Sequence, residues 1–259
     1  RRRYLNARNT ISMLIDNGVV PIINENDTVA TSEIRYGDND RLAARVTTMT
    51  SFDCLIILSD VDGIYTLPPD HLNAVHIPEI KNITREIQGM AKKTHNDYGS
   101  GGMTTKIEAA RISMDGGANM IIANGKLRNP IKSIMDGAKI SHFIAKTTPH
   151  LARKKWISGM LTPNGRIFID QGAKIALIAG SSLLPAGITS AEGNFERGDA
   201  VVICDDDSNE IARGLSAYSI SDTLDIIGKS TLEIENILGY RGRSALVHRD
   251  DLVIAATGD

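Results

Sequence analysis

Three short apolar runs, at residues 19–23, 54–58 and 119–123, organise the first half of the chain. A continuous apolar run of this length, bounded by polar residues, is typical of a strand buried on both faces, as in a parallel sheet covered by helices. Segments with helical spacing of apolar residues lie between the runs, at residues 42–49, 84–94 and 103–115. This alternation predicts an α/β fold on a mostly parallel sheet.

A further helix is predicted over residues 4–17, where Tyr4, Ile11 and Ile15 recur at helical spacing. Gly18 supplies a residue that tolerates the positive φ of a helix end. Because the chain opens with three arginines and is at once in a helix, we expect it to begin inside a domain.

The pattern changes after Lys155. Short strands separated by Gly, Asn and Asp turns are predicted at residues 166–170, 188–191, 200–205 and 210–216, which is typical of a small β-rich domain. Pro163, Asn164 and Gly165 form a turn signal between the two patterns. We therefore predict one domain over residues 1–155 and a second over residues 165–254.

Charge and hydrophobicity are those of a globular protein. Hydrophobic residues make up 42% and charged residues 23%, and the formal net charge of −2 gives no basic signature for nucleic acid or membrane. No apolar run approaches the ~20 residues that span a bilayer, and no signal peptide is visible, so we expect a cytoplasmic protein. Cys54 and Cys204 each lie in an apolar run, which favours buried free thiols over a disulfide.

The first polar cluster follows the run 19–23 and continues before the helix at 42–49. It combines amides and carboxylates, which suits an amino-acid substrate, because a carboxylate accepts from an ammonium group and an amide donates to a carboxylate. A polar loop with a helix cap, or a Mg²⁺ site, would use the same residue types. The cluster consists of Asn24, Glu25, Asn26, Asp27, Gly37, Asp38, Asn39 and Asp40.

The second cluster, Ser59, Asp60, Val61, Asp62 and Gly63, follows the run 54–58. An acidic residue at the end of a strand can orient a cation or a Mg-nucleotide, because ligands of open α/β sheets bind at the carboxyl ends of the strands. A simple turn with Asp62 and Gly63 at its tip is the alternative.

The third cluster opens the helix at 103–115. Its glycines allow a phosphate to approach the backbone, the helix start favours an anion, and a lysine supplies a charge for phosphoryl transfer. The spacing is not that of the common G-x-x-x-x-G-K-[ST] nucleotide motif, and a loop with a solvated lysine is the alternative. The cluster consists of Gly99, Ser100, Gly101, Gly102, Met103, Thr104, Thr105 and Lys106. The six histidines show no metal-ligand spacing, so we predict no protein metal site, and His248 is interpreted as structural.

Read in order, these segments resemble the glutamate 5-kinase family over nearly the whole chain. The matching runs lie at residues 4–10, 20–27, 37–40, 59–66, 101–106, 180–185, 193–195 and 247–251. The resemblance implies a three-layer α/β/α amino-acid kinase sandwich followed by a PUA domain. It also implies ATP, Mg²⁺ and L-glutamate as reactants in the first step of proline biosynthesis, with proline as feedback inhibitor, and we expect a homo-oligomer.

The resemblance also implies roles for individual residues. Positions matching Asp27, Asn39 and Asp40 meet glutamate in the family pattern, with Asn24 nearby. Positions matching Ser59 and Asp60 meet the nucleotide, and we interpret Asp60 and Lys106 as catalytic. The predicted nucleotide-binding residues are Ser59, Asp60, Ser100, Gly101, Gly102, Met103, Thr104, Thr105 and Lys106.

Two parts of the family pattern have no counterpart in this sequence. One is a Val-Lys-Leu-Gly strand whose lysine bridges the phosphates, and the other is a Ser-Gly-Ala loop that holds the substrate. The resemblance therefore predicts that the family's N-terminal third is absent and that the sheet and the site are incomplete. Ser59 stands where the family often has threonine and keeps the hydroxyl group.

Two other functions are compatible with these sequence features. One is a different kinase of this fold, acting on aspartate, N-acetylglutamate or UMP, which the β-rich second domain disfavours. The other is RNA binding by that domain. Residues 165–254 contain eight basic and fourteen acidic residues, whereas RNA binding needs a basic surface, so nucleic acid is disfavoured apart from a local patch around Arg241 and Arg243.

Overall fold

The computed structural model describes residues 2–24, 39–93, 102–160, 162–240 and 242–255. The chain forms two compact units, one of residues Thr10–Ala152 and the other of residues Arg1–Asn9 with Arg153–Asp259. Each unit has its own cluster of buried apolar side chains. Within the described ranges, no helix is long and apolar enough to cross a membrane. The domain bounds 1–155 and 165–254 stay a prediction.

The described elements of the first half follow the predicted alternation. The helices are α1 (Arg2–Asp16), α2 (Asn39–Thr50), α3 (Arg85–Lys93), α4 (Met103–Asp115), α5 (Pro130–Met135) and α6 (Pro149–Met160). The strands are β1 (Cys54–Ser59), β2 (Ile64–Tyr65), β3 (His76–Ile77), β4 (Glu79–Ile80), β5 (Asn119–Asn124) and β6 (Ile140–Phe143).

Four of these strands form a mixed sheet in the order β1-β5-β6-β4. Strand β1 is parallel to β5, and β4 is parallel to β6, whereas β5 and β6 are antiparallel. The prediction of a mostly parallel sheet is confirmed, since two of the three pairings are parallel. The antiparallel pairing nevertheless reverses the direction of half of the sheet.

Helices α2 and α4 pack together on the β1-β5 half of the sheet. Ala44, Ala109 and Ala110 are fully buried, and small side chains let two helices approach closely. Each helix leads through a short turn into its strand, α2 into β1 and α4 into β5. A helix of 12 residues and a strand of 6 both span about 20 Å, and each helix runs antiparallel to the strand that follows it. The N-terminus of each helix therefore lies beside the carboxyl end of its strand, at the same edge of the sheet.

Two predictions about the apolar runs are wrong. Residues 19–23 form no strand, and Val20 and Ile22 are 84% and 96% exposed. A strand is stabilised by its hydrogen-bonded neighbours, and this run pairs with no described strand. In β1 the buried residues Leu55 and Ile57 alternate with the exposed residues Cys54 and Leu58, so this strand is buried on one face of the sheet and not on both.

The second unit contains a five-stranded sheet in the order β11-β10-β9-β7-β8. All four strands predicted for this region are present, and their side chains form a core around Phe195 and Tyr218. The strands are β7 (Gly165–Ile169), β8 (Ile188–Gly193), β9 (Ala200–Cys204), β10 (Glu210–Leu215) and β11 (Leu252–Ile254). The helices are α7 (Gln171–Ile178), α8 (Ile220–Ile226) and α9 (Ile234–Leu238).

Candidate active site

The first and third polar clusters meet at the N-termini of α2 and α4. Lys106 Nζ lies 3.0 Å from Asp40 Oδ2, and the Thr105 hydroxyl oxygen lies 3.1 Å from the same atom. Asp40 and Lys106 are 66 residues apart in the chain. The structure therefore joins a predicted substrate residue and a predicted catalytic residue in one ion pair.

The ion pair is largely removed from water. The side chains of Lys106 and Asp40 are only 11% and 14% exposed. A buried charge is tolerated when it is paired, and Asp40 provides that partner for Lys106. Since an ammonium group has three N–H donors, Lys106 can donate to Asp40 and still donate to an anion at the helix ends.

The start of α4 is open to an anion. Gly102 is the residue before the helix and its backbone is extended, and among the described residues no side chain makes a capping hydrogen bond to this helix start. The Thr105 N–H and hydroxyl groups both donate to the Gly102 carbonyl, over 3.0 Å and 2.6 Å, which holds the first turn in shape. The first N–H groups of a helix have no partner within it, so they favour a phosphate or carboxylate at this point.

The second cluster lies at the end of β1, on the same edge of the sheet. Ser59 is in register with Asn124 at the end of β5, and the Gly125 N–H donates to the Ser59 carbonyl over 2.7 Å. The Ser59 hydroxyl donates to Asp60 Oδ1 over 3.1 Å, and Asp60 itself is exposed. Asp60 therefore presents a carboxylate at the carboxyl edge, where it can meet a bound ligand.

Asp62, in contrast, is engaged within the turn. It accepts a hydrogen bond from the Tyr65 hydroxyl over 2.8 Å. Burial, together with that hydrogen bond and the charge of Asp62, raises the pKa of Tyr65 to about 12. The structure thus separates the two acidic residues of this cluster, because Asp60 faces solvent and Asp62 holds a neighbouring side chain.

The other predicted site residues differ in how far the structure describes them. Asn24 and Asn39 are exposed, and Asn39 is the first residue of α2. Gly102 and Thr104 are exposed at the start of α4, whereas Met103 packs against the core of the unit. Asp27, Ser100 and Gly101 lie outside the described residues.

A contact between α2 and α4 was missed by the sequence analysis. Arg41 Nε donates to Glu108 Oε2 over 2.6 Å, beside the Asp40–Lys106 pair. Asn124 was also missed, although it is a polar residue directly after an apolar run, the signal that identified Ser59 and Asp60. No comparable local signal pairs Arg41 with Glu108, because they are 67 residues apart.

Within the described parts of the chain, no group of three or more His, Cys, Asp or Glu side chains is arranged to hold a metal ion. The described site instead offers a lysine, a helix start, three hydroxyl groups and two carboxylates. The backbone N–H groups of the helix start and the remaining N–H groups of Lys106 can donate to an anionic ligand, whereas the exposed Asp60 carboxylate suits a cation that accompanies it.

Comparison with known proteins identifies two family matches in the chain. Residues 1–124 match the amino acid kinase family, and residues 165–238 match the PUA domain.

Three relatives that match nearly the whole of this chain are named glutamate 5-kinase. The chain is 53% identical over its whole length to the glutamate 5-kinase of Bradyrhizobium sp. (strain BTAi1 / ATCC BAA-1182), and it covers 68% of that protein. It is 54% identical over 98% of its length to the glutamate 5-kinase of Rhodopseudomonas palustris (strain ATCC BAA-98 / CGA009), again covering 68% of the relative. It is 57% identical over 99% of its length to that of Rhizobium johnstonii, covering 66%. The chain thus spans about two thirds of the length of these relatives.

Proposed function

The chain belongs to the glutamate 5-kinase family, and from this premise we propose that it transfers the γ-phosphoryl group of ATP to the side-chain carboxylate of L-glutamate. The products are γ-glutamyl phosphate and ADP, and the reaction opens proline biosynthesis. The observation that supports this most directly is the contact between Lys106 and Asp40, at the start of α4 and the carboxyl edge of the sheet.

The reaction needs positioning and charge neutralisation rather than a general base. The glutamate side chain is already ionised at pH 7, so its oxygen can attack the γ-phosphorus directly. Two anions must then come together, and catalysis of phosphoryl transfer depends on holding them in line and balancing their charge. Lys106 is the described residue best placed for this, since it is a buried cation beside an open helix start.

Asp40 has two roles in this proposal. It fixes the position of the Lys106 ammonium group, and its carboxylate can face the α-ammonium group of glutamate. Asn24 and Asn39 supply amides for the substrate carboxylates, and Asp27 is a second partner for the ammonium group. The binding of both substrates is thereby coupled through the Asp40–Lys106 pair.

The nucleotide is assigned to the start of α4 and the end of β1. Gly102, Thr104, Thr105 and Lys106, together with Ser100, Gly101 and Met103, are proposed to surround its phosphates. Ser59 and Asp60 lie at the end of β1, and the exposed Asp60 carboxylate is an oxygen ligand of the kind that Mg²⁺ prefers, directly or through its waters. Mg²⁺ would there neutralise phosphate charge as it develops in the reaction.

Four further features belong to the same proposal. Proline would act as a feedback inhibitor at or near the glutamate site, and the protein would be a homo-oligomer in the cytoplasm. Residues 1–155 and 165–254 would correspond to the kinase and PUA domains, respectively.

The activity is tested by trapping the acyl phosphate as its hydroxamate in the presence of ATP and Mg²⁺. Glutamate, aspartate and N-acetylglutamate are compared, with this chain and with the same chain preceded by the N-terminal segment that the family resemblance predicts. Turnover with glutamate alone supports the proposal. Turnover with aspartate or N-acetylglutamate instead of glutamate would refute it.

Variants of the longer chain test the assigned roles. Lys106→Ala should lower kcat by about tenfold or more, because it removes a charge that stabilises the transition state. Lys132→Ala is the matched control, since Lys132 is an exposed lysine of α5. Asp27→Asn should raise KM for glutamate more than KM for ATP. Unchanged kcat in Lys106→Ala, or equal effects on both KM values in Asp27→Asn, would remove the respective assignment.

A further inference from the structure

The mixed sheet has a second carboxyl edge, opposite the candidate active site. Strands β4 and β6 are parallel to each other, but β6 is antiparallel to β5. The carboxyl ends of β4 and β6 therefore lie at the edge where β5 begins and α4 ends. Ligands of open α/β sheets bind outside the carboxyl ends of parallel strands, and this second edge meets that condition.

A cavity of about 430 Å³ is present at this second edge. Its volume lies within the range of roughly 300–1,000 Å³ that is usual for small-molecule sites. Its walls are formed by the segments that follow β4 and β6 and by the last turns of α4. The charged and apolar side chains that line it are Lys81, Arg111, Asp115, Lys146, Ile83 and Met114.

The cavity carries an excess of positive charge. Among the residues that line it, three are cationic, Lys81, Arg111 and Lys146, and one is anionic, Asp115. The side chains of Arg111 and Lys146 are exposed, and neither makes a hydrogen bond or an ion pair with the residues that the structure describes. Lys81 pairs with Glu79 over 2.9 Å, but both side chains are more than half exposed, so this pair is weak and easily exchanged for a ligand.

The negative end of α4 opposes this positive charge only in part. The carbonyls of Ile112, Ser113 and Met114 accept hydrogen bonds from the N–H groups of Gly116, Ala118 and Gly117, respectively. The last turn is thus capped by its own backbone, and these hydrogen bonds lessen the negative partial charge that its carbonyls present to an anion. The balance of the cavity remains positive.

We propose that this cavity binds a small organic dianion, either a phosphate monoester or a dicarboxylate. Arg111, Lys146 and Lys81 neutralise its two charges, and Asn82 and Thr147, which also line the cavity, add hydrogen bonds. Ile83 and Met114 contact its carbon skeleton. This site uses none of the residues assigned to glutamate or ATP, so the inference stands independently of the proposed function.

Isothermal titration calorimetry of the chain with glycerol 3-phosphate and with succinate tests this site, in low-salt and high-salt buffer. We expect saturable one-to-one binding of at least one dianion, weakened by salt because the contacts are charged. Arg111→Gln and Lys146→Gln should each weaken it by about tenfold or more, since each removes a charge-assisted hydrogen bond. Asp115→Asn should tighten it.

Three control variants make the result decisive. Arg45→Gln and Lys132→Gln remove exposed charges outside the cavity and should leave binding unchanged. Lys106→Ala should also leave it unchanged, because Lys106 belongs to the opposite edge. Absence of saturable binding by either probe, equal weakening by the surface controls, or loss of binding in Lys106→Ala would overturn the proposal. Circular dichroism confirms that each variant is folded.

Discussion

Asp251→Asn is expected to destabilise the second unit strongly, because Asp251 is a buried carboxylate shared by arginines. Its Oδ1 atom accepts from Arg8 Nη1 over 2.9 Å and from Arg153 Nε and Nη2 over 2.9 Å and 2.6 Å. Arg243 approaches Oδ2 to 3.8 Å. The side chains of Asp251 and Arg153 are only 5% and 6% exposed, so water cannot replace the lost charge.

The magnitude follows from that burial. Removing one partner of a buried ion pair costs about 3–5 kcal/mol, because the remaining charge is left without compensation. Asparagine keeps the shape and one acceptor, and Arg8 and Arg243 are partly in contact with water, so we expect about 3 kcal/mol. With an m value of about 1.5 kcal/mol/M, the urea midpoint falls by about 2 M.

The effect has a defined pH dependence. Burial raises the pKa of Asp251, but the charges and hydrogen bonds of Arg153 and Arg8 outweigh burial and hold this pKa below its ordinary value of 3.8. The native state therefore binds this proton less readily than the unfolded state. The contribution of Asp251 to stability is complete above the ordinary pKa and is lost as the pH falls through the lowered value. Asp251→Asn should lack this acid-induced loss.

Fluorescence of Trp156 is a suitable probe of unfolding. It is the single tryptophan of the chain, and it lies in the same unit as Asp251. Asp250→Asn is the matched control, because the neighbouring carboxylate is 46% exposed and should contribute less than about 1 kcal/mol. If the two variants have urea midpoints that agree within error, the buried network does not stabilise the unit and our reasoning is wrong.

Three further predictions concern the turn after β1. Gly63→Ala should destabilise the protein by about 1–3 kcal/mol, because a β-carbon would overlap the Ser141 hydroxyl and lie 2.6 Å from His76 Nε2; an unchanged melting temperature would contradict this. Burial lowers the pKa of His76 below 6.5, while the charge of Asp62 raises it and that of Lys139 lowers it further. The contribution of the neutral His76 to stability is therefore present above pH 6.5 and is lost as the pH falls through the lowered pKa. An NMR titration of His76 that gives a value above 6.5 would exclude this dependence. Burial, the hydrogen bond to Asp62 and the charge of Asp62 raise the pKa of Tyr65 to about 12, so Asp62→Asn should lower this pKa toward 10 in a titration followed by ultraviolet absorbance. A pKa of Tyr65 that Asp62→Asn leaves unchanged would contradict the role of the hydrogen bond.

The sequence by itself determined most of the local structure. The helix predicted at residues 103–115 has those bounds in the structure, and the four strands predicted after Lys155 are all present. Helical spacing, glycine at helix ends and turn residues act over a few positions, so they can be read without knowing the fold. The polar clusters at strand ends and the glycine-rich helix start were visible for the same reason, and so was the family resemblance.

Only the tertiary structure decided which of these segments meet. The contact of Lys106 with Asp40 joins residues 66 positions apart, and that of Arg153 with Asp251 joins residues 98 positions apart. An apolar run becomes a buried strand only when neighbouring strands flank it. The run at 19–23, which pairs with no described strand, is therefore exposed, and β1 is buried on one face only. The antiparallel pairing of β5 with β6 likewise depends on the whole sheet, and it creates the second carboxyl edge that no local pattern predicts.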